Sequence, residues 1–229
     1  MKSEYFFWGD QGFPEFVGGV REKFHYPMGI GSALVKRLLD LTASFFGLLF
    51  LLPLFPFIVF LILLETPGPI FFRQVRVGLD GRLFACYKFR SMAIDAEQQK
   101  DQLNHLNEAS GAAFKIKDDP RITGVGRFLR RSSLDEFPQL YNVLRGQMSI
   151  VGPRPQIPSE VGEYIPEQAC RLLVKPGLTC LWQVSGRSHL EFKEWMQLDL
   201  EYVLSQGLMT DLKILLRTLP AVIERKGAY

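Results

Sequence analysis

The stretch FFGLLFLLPLFPFIVFLILL, from Phe45 to Leu64, decides how this chain is organised. Its twenty residues contain no charged side chain and no hydroxyl group, and about twenty residues is the length that an α-helix needs to cross the hydrocarbon core of a bilayer. A signal peptide is a poor interpretation, because 44 residues precede the stretch and Glu65-Thr-Pro-Gly-Pro is not a small-residue cleavage site. The stretch therefore predicts a helix embedded in a membrane.

Pro53 and Pro56 lie near the middle of this stretch and argue against a straight spanning helix. Each proline removes a backbone donor and clashes with the preceding turn, which costs about 3 kcal/mol in a helix interior. Basic residues flank the stretch on both sides, so the positive-inside rule selects no orientation. A re-entrant helix over residues 32–66, broken at Pro53 and Pro56 and returning to the same face, satisfies both observations. A proline-kinked spanning helix is the alternative that the residues alone leave open.

The composition excludes several protein classes. Of the 229 residues, 47% are hydrophobic and 22% are charged, both near the globular average, which excludes a disordered or wholly coiled-coil chain. The net charge of +3 is too small to indicate nucleic-acid binding, so we expect no nucleic-acid partner. Three cysteines without a C-x-x-C pair, and only three histidines, argue against a disulfide framework and against a zinc site.

Outside the apolar stretch, the patterns predict a mainly α fold with one small β-hairpin. Two runs rich in Val, Phe and Tyr flank Asp80-Gly81, a favoured hairpin turn. Residues 127–146 have a helical pattern, and the Gly-Pro-Arg-Pro sequence at 152–155 predicts a rigid loop. Residues 191–204 and 208–223 predict two amphipathic helices that either cover a core or lie in the membrane interface. We therefore divide the chain into a lead-in (1–31), the membrane segment (32–66) and one further domain (67–229).

The densest group of polar side chains is RFLRRSSLDEFPQ, residues 127–139, in which three arginines precede the adjacent carboxylates Asp135 and Glu136. One interpretation is structural, because Ser133 and Glu136 fit the S-x-x-E capping box. The other is chemical. Carboxylates at a helix start beside arginines lie in an anion-binding environment, where we expect lowered pKa values. Such carboxylates can hold a divalent cation or attack phosphorus.

Basic side chains suited to phosphate binding follow from the same patterns. Strand alternation puts Lys88 and Arg90 on one face of the second hairpin strand, although two solvated cations are the plainer interpretation. Arg130 and Arg154 suit diphosphate oxygens, because a guanidinium group binds them bidentately. In the run from 177 to 186, Trp182 can meet a base or a sugar, although a tryptophan more often packs in a core. The chain has no Walker A loop, no G-x-G-x-x-G motif and no G-x-S-x-G elbow.

Nine short motifs follow one another between residues 88 and 187: KFRSM (88–92), DPRIT (119–123), GRFLR (126–130), SLDE (133–136), PQL (138–140), NVL (142–144), MSIVGPRP (148–155), KPG (175–177) and QVSGR (183–187). Each motif alone is weak evidence, but their order and spacing together are specific. The chain from residue 33 to residue 229 resembles the bacterial sugar transferases, also called monotopic phosphoglycosyl transferases.

The resemblance implies an enzyme that moves a sugar 1-phosphate from a UDP-sugar to undecaprenyl phosphate and releases UMP, with Mg²⁺ as cofactor. It implies that Asp135 is the nucleophile of a phosphosugar–enzyme intermediate and that Glu136 is a proton acceptor or metal ligand, with both carboxylates as candidate metal ligands. The phosphate- and substrate-binding residues that it implies are Lys88, Arg90, Arg130, Gln139, Pro153, Arg154 and Pro155.

The resemblance also implies a location and a pathway step. The re-entrant helix would put the active site on the cytosolic face of the bacterial inner membrane, where the enzyme would start exopolysaccharide, capsule or O-antigen synthesis. Relatives often carry Ser before the proline of the helix break, whereas this chain carries Leu52 before Pro53. The chain resembles the minimal catalytic form, and truncation of a longer parent stays open. Glucose or galactose as the sugar rests on family analogy, and a homodimer is an expectation without a sequence argument. A membrane-anchored Mg²⁺-dependent phosphohydrolase and a non-enzymatic scaffold are the alternative functions.

Overall fold

A computed structural model describes residues 28–99, 101–108, 116, 118–185 and 192–223. Most of the predicted lead-in, residues 1–31, lies outside the described residues. The helices are α1 (Ile30–Glu65), α2 (Ala96–Gln99), α3 (Gly124–Arg131), α4 (Gln139–Leu144), α5 (Pro158–Val161), α6 (Pro166–Ala169), α7 (Phe192–Ser205) and α8 (Leu208–Ile223). The strands are β1 (Phe71–Val77), β2 (Leu83–Phe89), β3 (Ser149–Val151) and β4 (Gly177–Thr179). Short 3₁₀ turns cover Leu79–Gly81, Asp101–Leu106, Leu134–Glu136, Cys170–Leu173 and Trp182–Val184. The predicted mainly α fold with a small hairpin is confirmed.

Helix α1 contains the apolar stretch and is the one helix in the described part of the chain that is long and apolar enough to cross a membrane. Only 17% of its most apolar window is buried, so it is not the core helix of a soluble domain. Leu51, Ile58 and Ile62 form its buried side and pack against Phe89 of β2 and Leu129 of α3. The opposite side exposes large apolar side chains along the whole helix.

The predicted interruption of this helix at Pro53 and Pro56 is wrong. Both prolines lie inside α1, and helical backbone continues through them from Ile30 to Glu65. Each proline removes one donor from the backbone ladder, and the flanking residues keep their helical conformation, as neighbouring contacts allow in membrane helices. The re-entrant course of the segment stays a prediction.

Polar side chains join both ends of α1 to the rest of the chain. Near its start, Lys36 Nζ lies 2.5 Å from Asp211 Oδ2 of α8, and Asp40 Oδ1 accepts from the backbone N of Ile150 at 2.9 Å. At its end, the Glu65 carboxylate accepts from the backbone N–H groups of the first two residues of α3, at 2.6 and 2.8 Å. The charged residues before the apolar stretch are therefore partners of the main domain, not free flanking charges.

The hairpin forms as the sequence predicts. Strands β1 and β2 are antiparallel, with Phe71 opposite Phe89 and Val77 opposite Leu83. Asp80 and Gly81 both adopt positive φ values, 53° and 75°, which is the backbone that a tight hairpin turn requires and that Asp-Gly favours.

A second pair of strands was not predicted. β3 and β4 are parallel and only three residues long, and Gly152 N donates to Thr179 O at 3.0 Å just beyond the paired residues. A Cβ on Gly152 or Gly177 would overlap backbone atoms of the other segment, so only glycine allows this approach. The pair holds the 152–155 loop in place, and the run is too short to give a strand pattern in the sequence.

The two predicted C-terminal helices are confirmed as α7 and α8. α7 covers a core, because Met196, Tyr202 and Val203 are buried. α8 buries Ile214 and exposes a leucine stripe, in which Leu216 is 60% and Leu219 is 64% exposed. Placement of that stripe in a membrane interface stays a prediction.

Candidate active site

A cavity of about 560 Å³ lies between the hairpin, α3, the Leu134–Glu136 turn and the 152–155 loop. It brings together most of the residues that the sequence singled out for phosphate chemistry. The predicted residues that line it are Lys88, Arg90, Arg130, Asp135, Glu136 and Arg154. Of the other predicted residues, Gln139, Pro153 and Pro155 lie outside its lining.

The two carboxylates sit on a 3₁₀ turn between α3 and α4, and not at a capped α-helix start. Ser133 precedes the turn with a left-handed backbone, φ 56°, and its side chain makes no cap hydrogen bond. The predicted capping box is therefore wrong. A positive φ at a non-glycine residue is uncommon, and here it reverses the chain so that Asp135 and Glu136 face the cavity. Two residues after Glu136, Pro138 is the N-cap of α4, a position whose N–H lies outside the helical hydrogen-bond ladder.

Glu136 is the centre of a charged cluster. Its Oε1 accepts from Lys88 Nζ at 2.7 Å and from the Arg154 guanidinium at 3.2 Å, and its side chain is 19% exposed. Burial raises the pKa of Glu136, but the positive charges of Lys88 and Arg154 outweigh burial and hold that pKa well below the usual value. The prediction of a lowered pKa is confirmed for this carboxylate, which stays ionised at neutral pH.

Asp135 behaves differently from its neighbour. It is 7% exposed and lines the cavity. Burial raises the pKa of Asp135 to about 6, the charge of Lys88 lowers it, and the adjacent Glu136 charge raises it further. The prediction of a lowered pKa is wrong for Asp135, because burial and a like charge outweigh the surrounding cations. At pH 7 the carboxylate is still mostly ionised and is more basic than an ordinary aspartate.

The remaining basic residues divide into two groups. Arg130 lines the cavity and is oriented by the Ser91 hydroxyl, which accepts from its Nε at 2.9 Å. Arg154 reaches the cavity from the 152–155 loop, where its backbone carbonyl accepts from Arg171 at 2.8 Å. Arg90 instead donates to the carbonyls of Thr66 and Pro67, at 2.5 and 2.7 Å, just past the end of α1. Its geometry favours a structural role over phosphate binding.

Gln139, Pro153 and Pro155 support the site from outside the cavity. Gln139 is 3% exposed, and its Nε2 has no hydrogen-bond partner among the described residues. The backbone carbonyl of Pro153 accepts a hydrogen bond from Gly177 N at 2.9 Å, and the backbone carbonyl of Pro155 accepts one from Arg76 at 2.8 Å. The two prolines position Arg154 between them.

The model of the bacterial sugar transferase family matches residues 31–225, which is most of the chain. The chain belongs to the bacterial sugar transferase family. The match covers α1, the hairpin, the carboxylate turn and the 152–155 loop, so the site described above lies wholly inside the family region.

Individual relatives in this family agree. The chain is 46% identical over 196 residues to the galactosyl transferase CpsE of Streptococcus agalactiae, which covers 85% of this chain and 43% of that protein. It is 41% identical over 202 residues to the undecaprenyl-phosphate galactose phosphotransferase of Salmonella typhimurium, covering 86% of this chain and 42% of the relative. The exopolysaccharide production protein ExoY of Rhizobium meliloti is 38% identical over 220 residues, 94% of each chain. The chain thus spans less than half of the first two relatives and nearly all of the third.

Sequence reasoning missed several cavity residues of this sugar transferase family member. Arg76 and Gln74 of β1 line the cavity, and Gln74 Oε1 accepts from Arg76 at 2.5 Å. The signal was available, because Gln74 lies opposite Cys86 in the hairpin, two residues from Lys88 and therefore on the same face. Asp119 and Arg121 also line the cavity and form a buried ion pair with a nitrogen–oxygen distance of 2.6 Å. The sequence did not reveal this pair, because folding brings the two side chains into contact.

The carboxylates fit the magnesium ion that the resemblance implies. No three acidic, histidine or cysteine side chains gather into a metal cluster within the described ranges. Magnesium at phosphate-transfer sites commonly takes only one or two protein carboxylates and completes its shell with water and substrate phosphate. Asp135 and Glu136 at the cavity wall provide that donor set.

Proposed function

We propose that this protein transfers a sugar 1-phosphate from a UDP-sugar to undecaprenyl phosphate and releases UMP, through an aspartyl phosphosugar intermediate. The observation that carries the proposal is Asp135, a buried carboxylate of raised pKa beside a cluster of three cations in one cavity. The family match and the names of the relatives supply the substrate class: a galactose phosphotransferase and a glucose phosphotransferase of undecaprenyl phosphate are both among them.

The charges in the cavity suit the donor diphosphate. Lys88, Arg130 and Arg154 present three positive groups, and Glu136 is fixed between two of them. Guanidinium groups bind phosphate oxygens bidentately, so Arg130 and Arg154 orient the donor. Because the pKa of Glu136 is lowered, it is a weak proton acceptor, and we assign it to holding Lys88 and Arg154 in position. Magnesium, held by Asp135, Glu136 and phosphate oxygens, would neutralise charge on the transferred group.

The reaction runs in two displacements. In the first, a carboxylate oxygen of Asp135 attacks the β-phosphorus of the UDP-sugar, the bond from that phosphorus to the bridging oxygen breaks, and the electron pair leaves with UMP. In the second, an oxygen of undecaprenyl phosphate attacks the same phosphorus, and the bond to Asp135 breaks and restores the carboxylate. The cations around the cavity stabilise the charge on the phosphoryl oxygens in both transition states.

The other part of the cavity suits the lipid acceptor. Phe71, Phe72, Met92 and Ile94 give that part an apolar lining. Phe71 also stacks on Phe55 of α1, with ring centroids 6.0 Å apart, so the apolar lining is continuous with the membrane helix. A prenyl chain lying against α1 would bring its phosphate to the cations without leaving an apolar surface.

Contacts at the two ends of α1 support a segment that stays on one membrane face, and with it a cytosolic-face site. Lys36 and Glu65 lie 29 residues apart and both bond to the main domain. A helix that crossed the bilayer would separate its ends by the hydrocarbon core of about 30 Å, with one end on the far side. Contacts of both ends with one polar domain favour a single membrane face, and in a bacterium the soluble UDP-sugar is on the cytosolic side of the inner membrane.

The test is UMP release by the detergent-purified protein with magnesium, UDP-galactose or UDP-glucose, and undecaprenyl phosphate. Without the lipid, we expect at most one UMP per protein molecule, because the intermediate then accumulates. With the lipid, we expect turnover. Asp135→Asn should lower both the burst and the turnover at least about 10³-fold, since it removes the nucleophile.

The control is Asp118→Asn, an exposed aspartate outside the cavity lining, which should keep full activity. Continuous UMP release without the lipid would indicate a phosphohydrolase, and normal activity of Asp135→Asn would exclude the aspartyl intermediate.

A further inference from the structure

Two tryptophans form a stacked pair at one end of the cavity. Trp182 lies on the 3₁₀ turn after β4, and Trp195 lies on α7. Their ring centroids are 4.8 Å apart with an interplanar angle of 16°, and both side chains line the cavity. The Phe192 ring meets the Trp195 ring edge-on, with ring centroids 6.4 Å apart, and this contact holds Trp195 in the stack.

This pair is not an ordinary part of the hydrophobic core. Both tryptophans are half-buried, and the buried core clusters contain neither of them. The indole N–H of Trp195 is buried and has no hydrogen-bond partner in the described part of the chain. A buried indole N–H normally finds an acceptor, so hydrogen bonding among the described residues does not account for the placement of Trp195.

The surroundings of the pair select the kind of ligand. Gln183 follows Trp182 in the chain and also lines the cavity. Cys180 Sγ donates to Gln183 Oε1 at 3.1 Å, which orients the amide. A flat aromatic face with the Gln183 amide next to it fits a heterocyclic base, which presents a π-face for stacking and polar atoms at its rim. A prenyl chain would fit the opposite, apolar part of the cavity.

The backbone connects this platform directly to the phosphate-binding loop. Gly152 N donates to Thr179 O at 3.0 Å, so the loop that carries Arg154 is bonded to the strand that leads into Trp182 three residues later. A nucleoside diphosphate has the same order of parts: a base, a ribose spacer and two phosphates. One short, rigid segment thus presents a stacking surface and a cation to the two ends of such a molecule.

We propose that the Trp182–Trp195 stack is the binding platform for the nucleobase of the donor, with Trp182 in contact with the base and Trp195 as its positioning residue. This inference rests on the proposed function, because it takes a nucleoside diphosphate sugar as the donor. It adds a base-binding subsite, distinct from the carboxylates and cations that handle the phosphates.

The experiment compares UDP with inorganic pyrophosphate, which has the phosphates and no base. Calorimetric titration would measure UDP binding to the full chain in detergent with magnesium, and competition against UDP would measure pyrophosphate binding. The variants are Trp182→Leu, which keeps an apolar side chain without a π-face, and Trp182→Phe, which keeps a π-face. Tyr141→Ala is the control, because Tyr141 is a 48% exposed aromatic outside the cavity lining.

We expect Trp182→Leu to weaken UDP binding about 5- to 150-fold, the range found for loss of one base–aromatic stack. Pyrophosphate binding should stay within twofold, Trp182→Phe should recover most of the UDP affinity, and the Tyr141 control should match the parent. Unchanged UDP binding in Trp182→Leu would overturn the inference, and so would an equal loss for UDP and pyrophosphate, which would indicate a structural role. Failure of the proposed function is distinct, because the unaltered protein would then release no UMP from any UDP-sugar.

Discussion

Glu136→Gln tests the charged cluster at the centre of the site. The substitution keeps the size of the side chain and an acceptor oxygen, and it removes one negative charge. In the structure that charge lies 2.7 Å from Lys88 Nζ and 3.2 Å from the Arg154 guanidinium. After the change, both cations keep a neutral acceptor and lose their counter-charge.

The size of the effect follows from these two contacts. Lys88 and Arg154 stay charged, so each contact remains a charge-assisted hydrogen bond and loses only its ion-pair part. The three side chains are 19–31% exposed, and a partly exposed ion pair contributes up to about 1 kcal/mol, so the two contacts together account for up to about 2 kcal/mol. We expect a loss of about 1–2 kcal/mol in the free energy of unfolding, which lowers the melting temperature by roughly 2–8 °C in a chain of this size.

Catalysis should suffer more than stability. Lys88 and Arg154 would no longer be held apart in fixed positions, and loss of preorganised charge stabilisation typically lowers kcat by about 10²- to 10³-fold. KM for the UDP-sugar should stay within about threefold, because the cavity becomes one charge more positive and still attracts the diphosphate. Steady-state UMP release against UDP-sugar concentration measures both constants, and thermal unfolding followed by tryptophan fluorescence measures stability.

Glu160→Gln is the matched control. Glu160 is another carboxylate in the cavity lining, and its recorded partner is the backbone N–H of Ile157. It should keep kcat within about threefold of the parent. If Glu136→Gln kept kcat at that level while melting lower, or if the control lost as much activity, the positioning role of Glu136 would be refuted.

Two further predictions concern contacts away from the reacting atoms. Glu65→Ala removes the carboxylate that accepts from the first two N–H groups of α3, and we expect a loss of about 1–2 kcal/mol in unfolding measurements, with Glu65→Gln in between. For Asp119, burial raises the pKa, but the hydrogen bonds and charge of Arg121 outweigh it and hold that pKa below the usual 3.8. The stability from this pair is therefore present at neutral pH and is lost as the pH falls below about 4. Asp119→Asn should lower the free energy of unfolding by about 3 kcal/mol at pH 7, and the variant should not show the loss of stability that this ion pair causes below pH 4. If the free energy of unfolding of the two proteins fell equally as the pH was lowered, the prediction would be contradicted.

The sequence predicted most strongly those elements whose signal is local. The hairpin follows from Asp80-Gly81 between two strand-like runs, and α7 and α8 follow from the 3.6-residue periodicity of their apolar residues. The β3–β4 pair escaped prediction because each strand has three residues and the two are held together by glycines far apart in the chain.

The site was predictable as a set of residues and less so as a geometry. Motif spacing identified the two carboxylates and three of the cations, and the cavity brings those five together. Arg90 was grouped with Lys88 by strand alternation, yet its guanidinium reaches back to the end of α1. Alternation fixes the face on which a side chain starts, and a long arginine side chain can reach a partner well beyond it. The opposite pKa shifts of Asp135 and Glu136 were likewise hidden, because burial raises the pKa of both, and only the folded chain brings Lys88 and Arg154 into hydrogen bonds with Glu136 that outweigh it.

The contacts of α1 change how its membrane placement has to be explained. Lys36 and Asp40 are buried and paired with the main domain, so they cannot act as the free flanking charges of the positive-inside rule. The part of α1 that is left to contact the bilayer is its exposed apolar surface. Phe45 and Phe57 of α1 are 59% and 60% exposed. The Lys36–Asp211 ion pair joins α1 to α8, whose exposed leucine stripe therefore belongs to the same rigid unit. With the leucine stripe in the membrane interface, as predicted, two apolar surfaces fixed to each other by a buried ion pair would set the depth and tilt of the domain together, and with them the position of the apolar part of the cavity relative to the lipid. In that arrangement the membrane anchor would also orient the site.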